Sequence, residues 1–182
     1  MKKDNGVKEV LVTGEQIEKR IGEIAKQISQ DYAGKRPLLI GILKGAWVYL
    51  ADLARKIDCD AEINFMSVSS YGNSTVTSGS VTIMKDVSVS CKGRHVIIVE
   101  DIVDTGITMA RLRELFLGRG AASVAATTIV SKPSRRLVDV VVEYVGFEIP
   151  DNFVIGYGMD FAERYRGLPD ICVFDESYKD TL

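Results

Sequence analysis

Two patterns of apolar and polar positions alternate along the chain. Short segments rich in β-branched and other apolar residues are typical of buried strands, and they predict strands at Leu38–Leu43, Ile63–Val68, Val96–Val99, Ser123–Val130, Val140–Val145 and Ile171–Phe174. Apolar residues at helical spacing predict helices after Thr13 and over Trp47–Lys56 and Ala110–Leu117. Because strands alternate with helices through short connections, the pattern predicts an α/β fold with a mainly parallel sheet flanked by helices.

Two further segments add detail to this pattern. Thr13 and Gln16 have the spacing of a capping box, and isoleucines recur after them at helical intervals, at Ile17, Ile21, Ile24 and Ile28. We expect this first helix to serve packing. Val81–Met84 and Val87–Val89 predict a hairpin, and Trp47 and Tyr49 are expected to be core or interface residues.

Residues 69–80 interrupt the alternation. Apart from Tyr71 and Val76, this segment consists almost wholly of Ser, Thr, Gly and Asn, so it is too poor in apolar groups to pack. A stretch of this kind inside a compact domain is typical of a disordered segment or of a lid.

The most informative stretch is His95–Met109. A buried strand is followed directly by three carboxylates, at Glu100, Asp101 and Asp104, and then by Thr105–Thr108 before a helix begins. Backbone N–H groups and threonine hydroxyls at the positive end of a helix dipole suit a phosphate group. Carboxylates do not bind phosphate directly, but they accept hydrogen bonds from sugar hydroxyls and bind Mg²⁺. The stretch therefore favours a sugar phosphate as its ligand.

Simpler explanations account less well for this stretch. Carboxylates are common as helix caps and Thr-Gly is common in turns, but three carboxylates, two threonines and a glycine directly behind a buried strand favour function. No Gly-x-x-x-x-Gly-Lys-Ser/Thr motif occurs, and Gly156-Tyr157-Gly158 lacks a third glycine and a helical continuation. His95, the single histidine, most simply opens the central strand, which disfavours a Ser-His-Asp hydrolase. An Asp-x-Asp phosphatase is also disfavoured, because Asp101 and Asp104 are three positions apart rather than two.

Composition and charge narrow the class of protein further. The chain has 182 residues, of which 46% are hydrophobic and 26% charged, as expected for one globular domain with a small appendage. A net charge of -2 gives no support to a nucleic-acid or membrane-surface role. Cys59, Cys91 and Cys172 are widely spaced without a Cys-x-x-Cys, which argues against zinc and indicates a reducing cytoplasm. The most hydrophobic stretch, Pro37–Leu50, is interrupted by Lys44, so we expect no membrane span.

Val99–Thr108 resembles the loop with which type I phosphoribosyltransferases bind phosphoribosyl pyrophosphate (PRPP). The Glu100-Asp101 order, together with later segments, is most similar to the hypoxanthine-guanine branch of that family, and the resemblance runs from about Leu38 to Val173. It implies the type I phosphoribosyltransferase fold as a single domain over residues 1–182. The core would cover about 35–145, the N-terminal segment and about 146–182 would form a small hood, and about 69–80 would form a lid.

The resemblance also implies roles for residues of this loop. Glu100 and Asp101 would bind the ribose and Mg²⁺, while the 5-phosphate would be bound by Thr105, Gly106, Ile107 and Thr108. Some family members have Lys where this chain has Ile107, and that position is thought to act through its backbone N–H. Asp104 would contact the bound nucleotide as the catalytic residue, accepting the proton that is lost when N9 of the base attacks.

Pyrophosphate would be bound by other parts of the chain. In the resembled family, Lys44-Gly45 and Arg166 would contact this group, using a strained peptide before the glycine and the planar fork of the guanidinium. Asp160, which belongs to the purine-side segment, would hold a second Mg²⁺ on the pyrophosphate. The lid, with its Ser70-Tyr71 pair, would close over the site and exclude water.

The purine would be bound by a third set of residues. Lys132 follows a predicted strand and resembles the family lysine that meets the 6-oxo group. Its ammonium only donates hydrogen bonds, so it would disfavour the 6-amino group of adenine. Phe153 would stack on the base, and the backbone of Val154 would read its ring edge. Arg135 and Arg136 are interpreted as solvated residues of a basic loop.

The implied activity is transfer of the 5-phosphoribosyl group from PRPP to N9 of hypoxanthine or guanine, with Mg²⁺ as cofactor, in purine salvage. The partners would be these small molecules rather than nucleic acid or a membrane, in a homodimer or homotetramer. A relative acting on xanthine, or less favourably on uracil or orotate, remains an alternative. A second alternative is a regulator that keeps this fold and binds nucleic acid, but such a protein usually needs a basic surface.

Overall fold

Strands and helices alternate over residues 6–69 and 82–181, which are the residues that a computed structural model of the chain describes. The strands are β1 (Val7–Val12), β2 (Leu38–Leu43), β3 (Glu62–Ser69), β4 (Thr82–Lys85), β5 (His95–Val103), β6 (Ser123–Ser131), β7 (Tyr144–Glu148), β8 (Val154–Ile155) and β9 (Ile171–Phe174). The α-helices are α1 (Gly14–Asp31), α2 (Trp47–Ala54) and α3 (Ile107–Gly118), and short 3-10 helices cover Pro133–Arg135 and Glu176–Thr181. Ser70 and Tyr71, with the rest of the expected lid after Ser69, lie outside the described residues.

The larger sheet has six strands in the order β4-β3-β2-β5-β6-β7. β2 pairs in parallel with β3 and β5, and β5, β6 and β7 continue in parallel, whereas the edge strand β4 runs antiparallel to β3. The predicted α/β fold with a mainly parallel sheet is therefore confirmed. Because the parallel strands run in one direction, the loops that follow β2, β5 and β6 meet at one edge, where ligands bind in sheets of this type.

Helices cover both faces of this sheet, since alternate side chains of a strand point to opposite faces. Ile97 and Val99 of β5 pack in one apolar cluster with α1 and α2, whereas Val96 and Ile98 pack in a second cluster with α3. All four side chains are inaccessible to solvent. Burial on both faces explains the unbroken apolar run in β5.

The first helix begins as its sequence predicts. Thr13 Oγ1 accepts a hydrogen bond from the N–H of Gln16 at 3.3 Å, and Gln16 Oε1 accepts one from the N–H of Thr13 at 2.9 Å. The isoleucines at helical spacing are all buried, which confirms their packing role: Ile17, Ile21, Ile24 and Ile28. Over the described ranges, no helix combines the length and apolar character that crossing a bilayer requires.

A smaller antiparallel sheet brings together the two ends of the chain. Its central strand, β9, lies between β1 and β8. The Tyr157 hydroxyl donates a hydrogen bond to Asp52 of α2 at 2.6 Å. A side chain at Gly158 would overlap the carbonyl oxygen of Gly45, so only glycine allows the two segments to lie this close. These contacts place the smaller sheet beside the carboxyl end of β2.

The predicted strand Val140–Val145 is wrong over most of its length, because β7 begins only at Tyr144. The guanidinium of Arg113 donates a hydrogen bond to the carbonyl of Val141 at 2.9 Å. The Glu143 side chain accepts the N–H of Ala126 at 2.7 Å, so side chains replace part of the strand ladder here.

The predicted hairpin is also wrong. β4 pairs with β3, and Val87–Val89 forms no strand. Asn64 explains the difference, since its side chain donates to the Ser88 hydroxyl at 2.9 Å and accepts the Ser88 N–H at 3.2 Å. Tyr49 is buried in the core, whereas Trp47 is 47% exposed, so of the two expected roles it is not a core residue and the interface role stays a prediction.

Candidate active site

The loop between β5 and α3 turns sharply at Gly106. This residue caps α3 in the left-handed region, with φ of 83°. A Cβ there would lie 2.8 Å from Cγ1 of Val140, so both conformation and packing require glycine. Thr105 Oγ1 accepts the N–H of Ile107 at 3.4 Å. The turn places the amino end of α3, the positive end of its dipole, directly after the carboxyl end of β5.

Glu100 and Asp101 lie at that strand end with little access to water. Glu100 is 8% exposed and Asp101 is partly buried. Burial, reinforced by the charge of Asp101 and a hydrogen bond with it, raises the pKa of Glu100 well above its ordinary value. Burial also raises the pKa of Asp101, although backbone N–H groups and the charge of Arg166 oppose the rise. Neither carboxyl group belongs to an ion pair within residues 6–69 and 82–181.

The carboxylates of Glu100 and Asp101 fit a Mg²⁺ ion that takes further ligands from a bound substrate. In the part of the chain that the structure describes, no three His, Cys, Asp or Glu side chains form a group able to hold a metal. Mg²⁺ is commonly bound by one or two carboxylates together with substrate phosphate oxygens. A nearby cation favours the ionised form of an acid, so it would also offset the raised pKa of Glu100 and Asp101.

The loop after β2 lies against Asp101. A cis peptide bond joins Leu43 to Lys44, one residue before the peptide that precedes Gly45. A side chain at Gly45 would overlap the Asp101 carboxylate. Glycine at this position therefore allows the carboxylate to contact the loop backbone, and the Lys44-Gly45 segment is brought next to the acidic pair.

Four charged side chains form a first ion-pair chain beside this loop. Lys44 Nζ lies 2.9 Å from Glu163 Oε1, and Arg166 Nη2 lies 3.2 Å from Glu163 Oε2. The same Arg166 nitrogen lies 2.9 Å from Asp160 Oδ1, and Nη1 donates to the carbonyl of Gly158 at 2.9 Å. Lys44 and Arg166, the two cations that the family resemblance assigns to pyrophosphate, thus both contact the Glu163 carboxylate.

A second ion-pair chain links Asp104 to Lys132. Arg135 Nε donates to Asp104 Oδ1 at 2.7 Å, and its Nη1 donates to Asp151 Oδ2 at 3.0 Å. These hydrogen bonds raise the pKa of Arg135. Lys132 is 6% exposed, and its Nζ lies 3.7 Å from Asp151 Oδ1, which is longer than a hydrogen bond. The buried ammonium of Lys132 therefore forms no hydrogen bond with the Asp151 carboxylate.

The interpretation of Arg136 as a solvated loop residue is wrong, whereas Arg135 is exposed as expected, although it is ion-paired. Arg136 Nη1 donates to the carbonyls of Val103, at 2.6 Å, and Asp104, and its Nη2 donates to Ser131 Oγ at 2.8 Å. Burial lowers the pKa of Arg136. The Val103 carbonyl also accepts the N–H of Lys132 at 3.0 Å, so Arg136 ties the end of β5 and the start of the β5–α3 loop to the segment after β6.

Phe153 presents part of its ring to solvent. The side chain is 47% exposed, and its edge contacts are with Phe161 and Phe174, at 5.8 and 5.9 Å between ring centroids. Since nearly half of the side chain is exposed, the ring keeps an aromatic surface on which a further ring can stack. Val154 is buried in β8, where its backbone pairs with Val173 of β9.

Sequence reasoning missed three residues of this region: Asp151, Gly158 and Glu163. Glu163 contacts Lys44 across 119 positions, so no local pattern could reveal the pair. The clustering of charge between Asp160 and Arg166 was the one available signal. Gly156-Tyr157-Gly158 fails as a phosphate motif and serves packing instead, because Gly158 lies against Gly45.

The chain belongs to the phosphoribosyl transferase family, since the family model of the phosphoribosyl transferase domain matches residues 8–162. It is 49% identical to the hypoxanthine-guanine phosphoribosyltransferase of Bacillus subtilis strain 168, over 92% of this chain and 93% of that protein. The protein of the same name from Streptococcus pneumoniae strain R6 is 46% identical, over 95% of this chain and 96% of that protein.

Solved structures agree with these relatives. A crystal structure of a hypoxanthine phosphoribosyltransferase from Staphylococcus aureus superimposes with a TM-score of 0.92 at 42% identity, covering 96% of this chain and 95% of that one. The resemblance inferred from Val99–Thr108 and the type I fold that it implies are therefore confirmed.

Proposed function

We propose that this protein is the purine-salvage enzyme that transfers the 5-phosphoribosyl group from PRPP to N9 of hypoxanthine or guanine. The products are IMP or GMP and pyrophosphate. The observation that supports this most is the identity of 46–49%, over more than nine-tenths of the chain, to proteins named hypoxanthine-guanine phosphoribosyltransferase. The contacts of the site give that activity a physical basis.

PRPP lies along the carboxyl edge of the larger sheet in this proposal. Its 5-phosphate accepts hydrogen bonds at the amino end of α3, from the N–H groups at 106–108 and the hydroxyls of Thr105 and Thr108. Its ribose hydroxyls donate to Glu100 and Asp101, since neither carboxylate forms an ion pair with a lysine or arginine of the described residues. Its pyrophosphate accepts from Lys44-Gly45 and Arg166.

Mg²⁺ is the cofactor that we assign to this reaction. Glu100 and Asp101 would hold one ion, and Asp160 a second one beside the pyrophosphate. When bound, the metal supplies positive charge that stabilises the leaving pyrophosphate. Arg166 contributes to the same stabilisation through its planar guanidinium, which is fixed by the carbonyl of Gly158.

The purine lies between Phe153 and the end of β6. Stacking on the exposed ring of Phe153 holds the base, and the backbone at Val154 reads its ring edge. Lys132 donates to the 6-oxo group, because its ammonium is buried and keeps a longer distance from Asp151. Adenine offers an amino group at that position, which leaves the buried cation without an acceptor.

Asp104 accepts the proton that leaves the purine as N9 attacks the anomeric carbon. One of its oxygens, Oδ1, accepts from Arg135. A carboxylate has two oxygens, so Oδ2 is the atom that we assign to the imidazole side of the base. Arg135 orients this acid, while Arg136 fixes the backbone that carries it.

The organisation of the enzyme follows the family. We propose a single domain over 1–182, with a core at about 35–145, a hood built from the N-terminal segment and about 146–182, and a lid at about 69–80 with Ser70 and Tyr71. The smaller sheet supports such a hood, since β1 pairs with β9 beside β8. We further propose a cytoplasmic homodimer or homotetramer, and the three free cysteines support a reducing compartment.

One assay tests the proposed function. The protein is incubated with PRPP, Mg²⁺ and a single base, and nucleotide and pyrophosphate are measured for hypoxanthine, guanine, xanthine, adenine, uracil and orotate in turn. We expect IMP and GMP, with little or no product from adenine or the pyrimidines. A protein that makes no nucleotide from either hypoxanthine or guanine contradicts the proposal.

A further inference from the structure

Glu163 forms ion pairs with both Lys44 and Arg166, the cations that the proposed function assigns to pyrophosphate. Its Oε1 lies 2.9 Å from Lys44 Nζ, and its Oε2 lies 3.2 Å from Arg166 Nη2. The two oxygens of one carboxylate therefore bridge a lysine after β2 and an arginine that precedes β9. A phosphate group also has anionic oxygens that can contact one ammonium and one guanidinium at the same time, so it can make the same contacts as the Glu163 carboxylate.

The charge of this side chain supports such a comparison. Hydrogen bonds from Lys44 and Arg166 lower the pKa of Glu163, so the carboxylate stays ionised at neutral pH. Both Lys44 and Glu163 are more than half exposed, so this pair can open into water, and the largely buried Arg166 then keeps its contact with Asp160. Asp160 also contacts Arg166, but it does not reach Lys44 among the contacts of the described residues.

The backbone at Glu163 has a conformation that glutamate rarely adopts. Ala162 and Glu163 have φ of 50° and 61°, between Phe161 and Arg164, which bridge each other. Two successive left-handed residues favour Asn, Asp or Gly. Glutamate is uncommon at such a position, where its N–H donates to Asp160 Oδ2 at 2.9 Å and its side chain forms the ion pairs with Lys44 and Arg166.

We propose that Glu163 is an internal competitor of pyrophosphate. In the free enzyme its carboxylate covers Lys44 and Arg166, and it leaves them when the pyrophosphate of PRPP binds. It returns to them when the product pyrophosphate departs. Glu163 thereby limits the affinity for both PRPP and pyrophosphate and promotes product release. This inference rests on the proposed function for the assignment of the two cations.

Glu163→Gln tests the inference, because it removes the charge and keeps the shape. Calorimetry with pyrophosphate and Mg²⁺ measures the Kd, and initial rates give the KM for PRPP. The ion pairs of Glu163 with exposed Lys44 and with largely buried Arg166 are lost as competitors, so we expect both constants to fall about 3- to 10-fold. Raising the salt to about 1 M should shrink the difference, since exposed charges are screened.

Glu114→Gln is the control, because Glu114 pairs with Arg111 three positions away, which is the spacing at which Glu163 pairs with the less exposed Arg166. Its pyrophosphate affinity should equal that of the unmodified protein. An unchanged or weaker affinity in Glu163→Gln overturns the inference, since Glu163 would then be inert or would position the cations. Binding is measured without turnover, so this result is independent of the assay that tests the proposed function.

Discussion

The carboxylates of the site fall into two groups, which differ in whether a lysine or arginine forms an ion pair with them. At the end of β5, Glu100 and Asp101 lie away from water without an ion pair in the described part of the chain, and burial raises the pKa of both. Around the rim, each carboxylate is paired with an arginine or a lysine: Asp104, Asp151, Asp160 and Glu163.

The difference indicates what kind of ligand the site accepts. A ligand at the strand end must bring hydrogen-bond donors or positive charge to the acids. A ligand at the rim must instead bind lysine and arginine side chains that are already paired with carboxylates, either by sharing these side chains or by displacing the carboxylates. PRPP with Mg²⁺ meets both requirements, because its ribose offers hydroxyl donors and its pyrophosphate offers negative charge.

The largest effect is expected at the rim carboxylate that we assign to catalysis. Asp104→Asn keeps the shape but cannot accept the proton from the purine, so kcat should fall about 10²- to 10⁴-fold. PRPP binding, measured by calorimetry, should stay within a few-fold.

Asp151→Asn is the control, since it removes the other carboxylate that Arg135 contacts. Its kcat should change far less than that of Asp104→Asn. Unchanged turnover in Asp104→Asn removes the catalytic role of this residue.

The next effect is expected where the strand end contacts the β2 loop. In Gly45→Ala the new methyl group overlaps the Asp101 carboxylate, so the acid or the loop must move. A displacement of about 1 Å at a reacting site costs about 10²-fold in rate, and we expect a loss of that order in kcat/KM for PRPP.

Gly22→Ala serves as control, because a Cβ at that helical position meets nothing within 4 Å. It should match the unmodified protein in rate. A Gly45→Ala protein with normal kcat/KM for PRPP shows that the contact between the two segments has no part in binding.

A smaller effect is expected at Lys132. Lys132→Gln removes the charge-assisted hydrogen bond to the 6-oxo group, which should raise the KM for hypoxanthine and guanine about 10- to 100-fold. The KM for PRPP should change little. Lys56→Gln, which removes an exposed lysine, is the control. Equal shifts for purine and PRPP would indicate a general loss of structure rather than a lost contact with the base.

The smallest effect concerns stability and separates the two groups of acids directly. The pKa of Glu100 is raised in the folded protein, so the folded protein keeps a proton that the unfolded chain releases at lower pH. Stability from this group is therefore present at low pH and is lost as the pH rises through the raised pKa. Glu100→Gln should melt higher than the unmodified protein at pH 8, by about 2–4 °C for each kcal/mol recovered. The gain should shrink toward pH 5.

Asp104→Asn gives the contrasting result in the same melting experiment. It loses an exposed ion pair, which contributes about 0–1 kcal/mol, so its melting temperature should stay level or fall slightly. A Glu100→Gln protein that melts lower than the unmodified protein at pH 8 contradicts the contrast between the two groups.

The parts of the molecule that could be predicted are those that depend on neighbouring residues. The run from His95 to Thr108 contains the strand, the turn and the helix start, so its local pattern was enough to predict the loop, while the fold class followed from the alternation of strands and helices and from the family resemblance. The rim depends instead on distant contacts. Glu163 reaches Lys44 across 119 positions, and nothing near either residue reveals the other.

The wrong strand at Val140–Val145 has a related physical cause. Three successive valines favour extended backbone whether its hydrogen bonds go to a strand or to a side chain. Here Arg113 takes the carbonyl of Val141. Arg136 was misinterpreted for a related reason, because the carbonyls of Val103 and Asp104 come within reach of its guanidinium only in the folded chain.

The most direct test is a crystal structure of the protein with bound GMP. The account predicts that the 5′-phosphate contacts the N–H groups at 106–108 while the ribose hydroxyls contact Glu100 and Asp101. A phosphate bound away from the amino end of α3, or a ribose that touches neither acid, would contradict it.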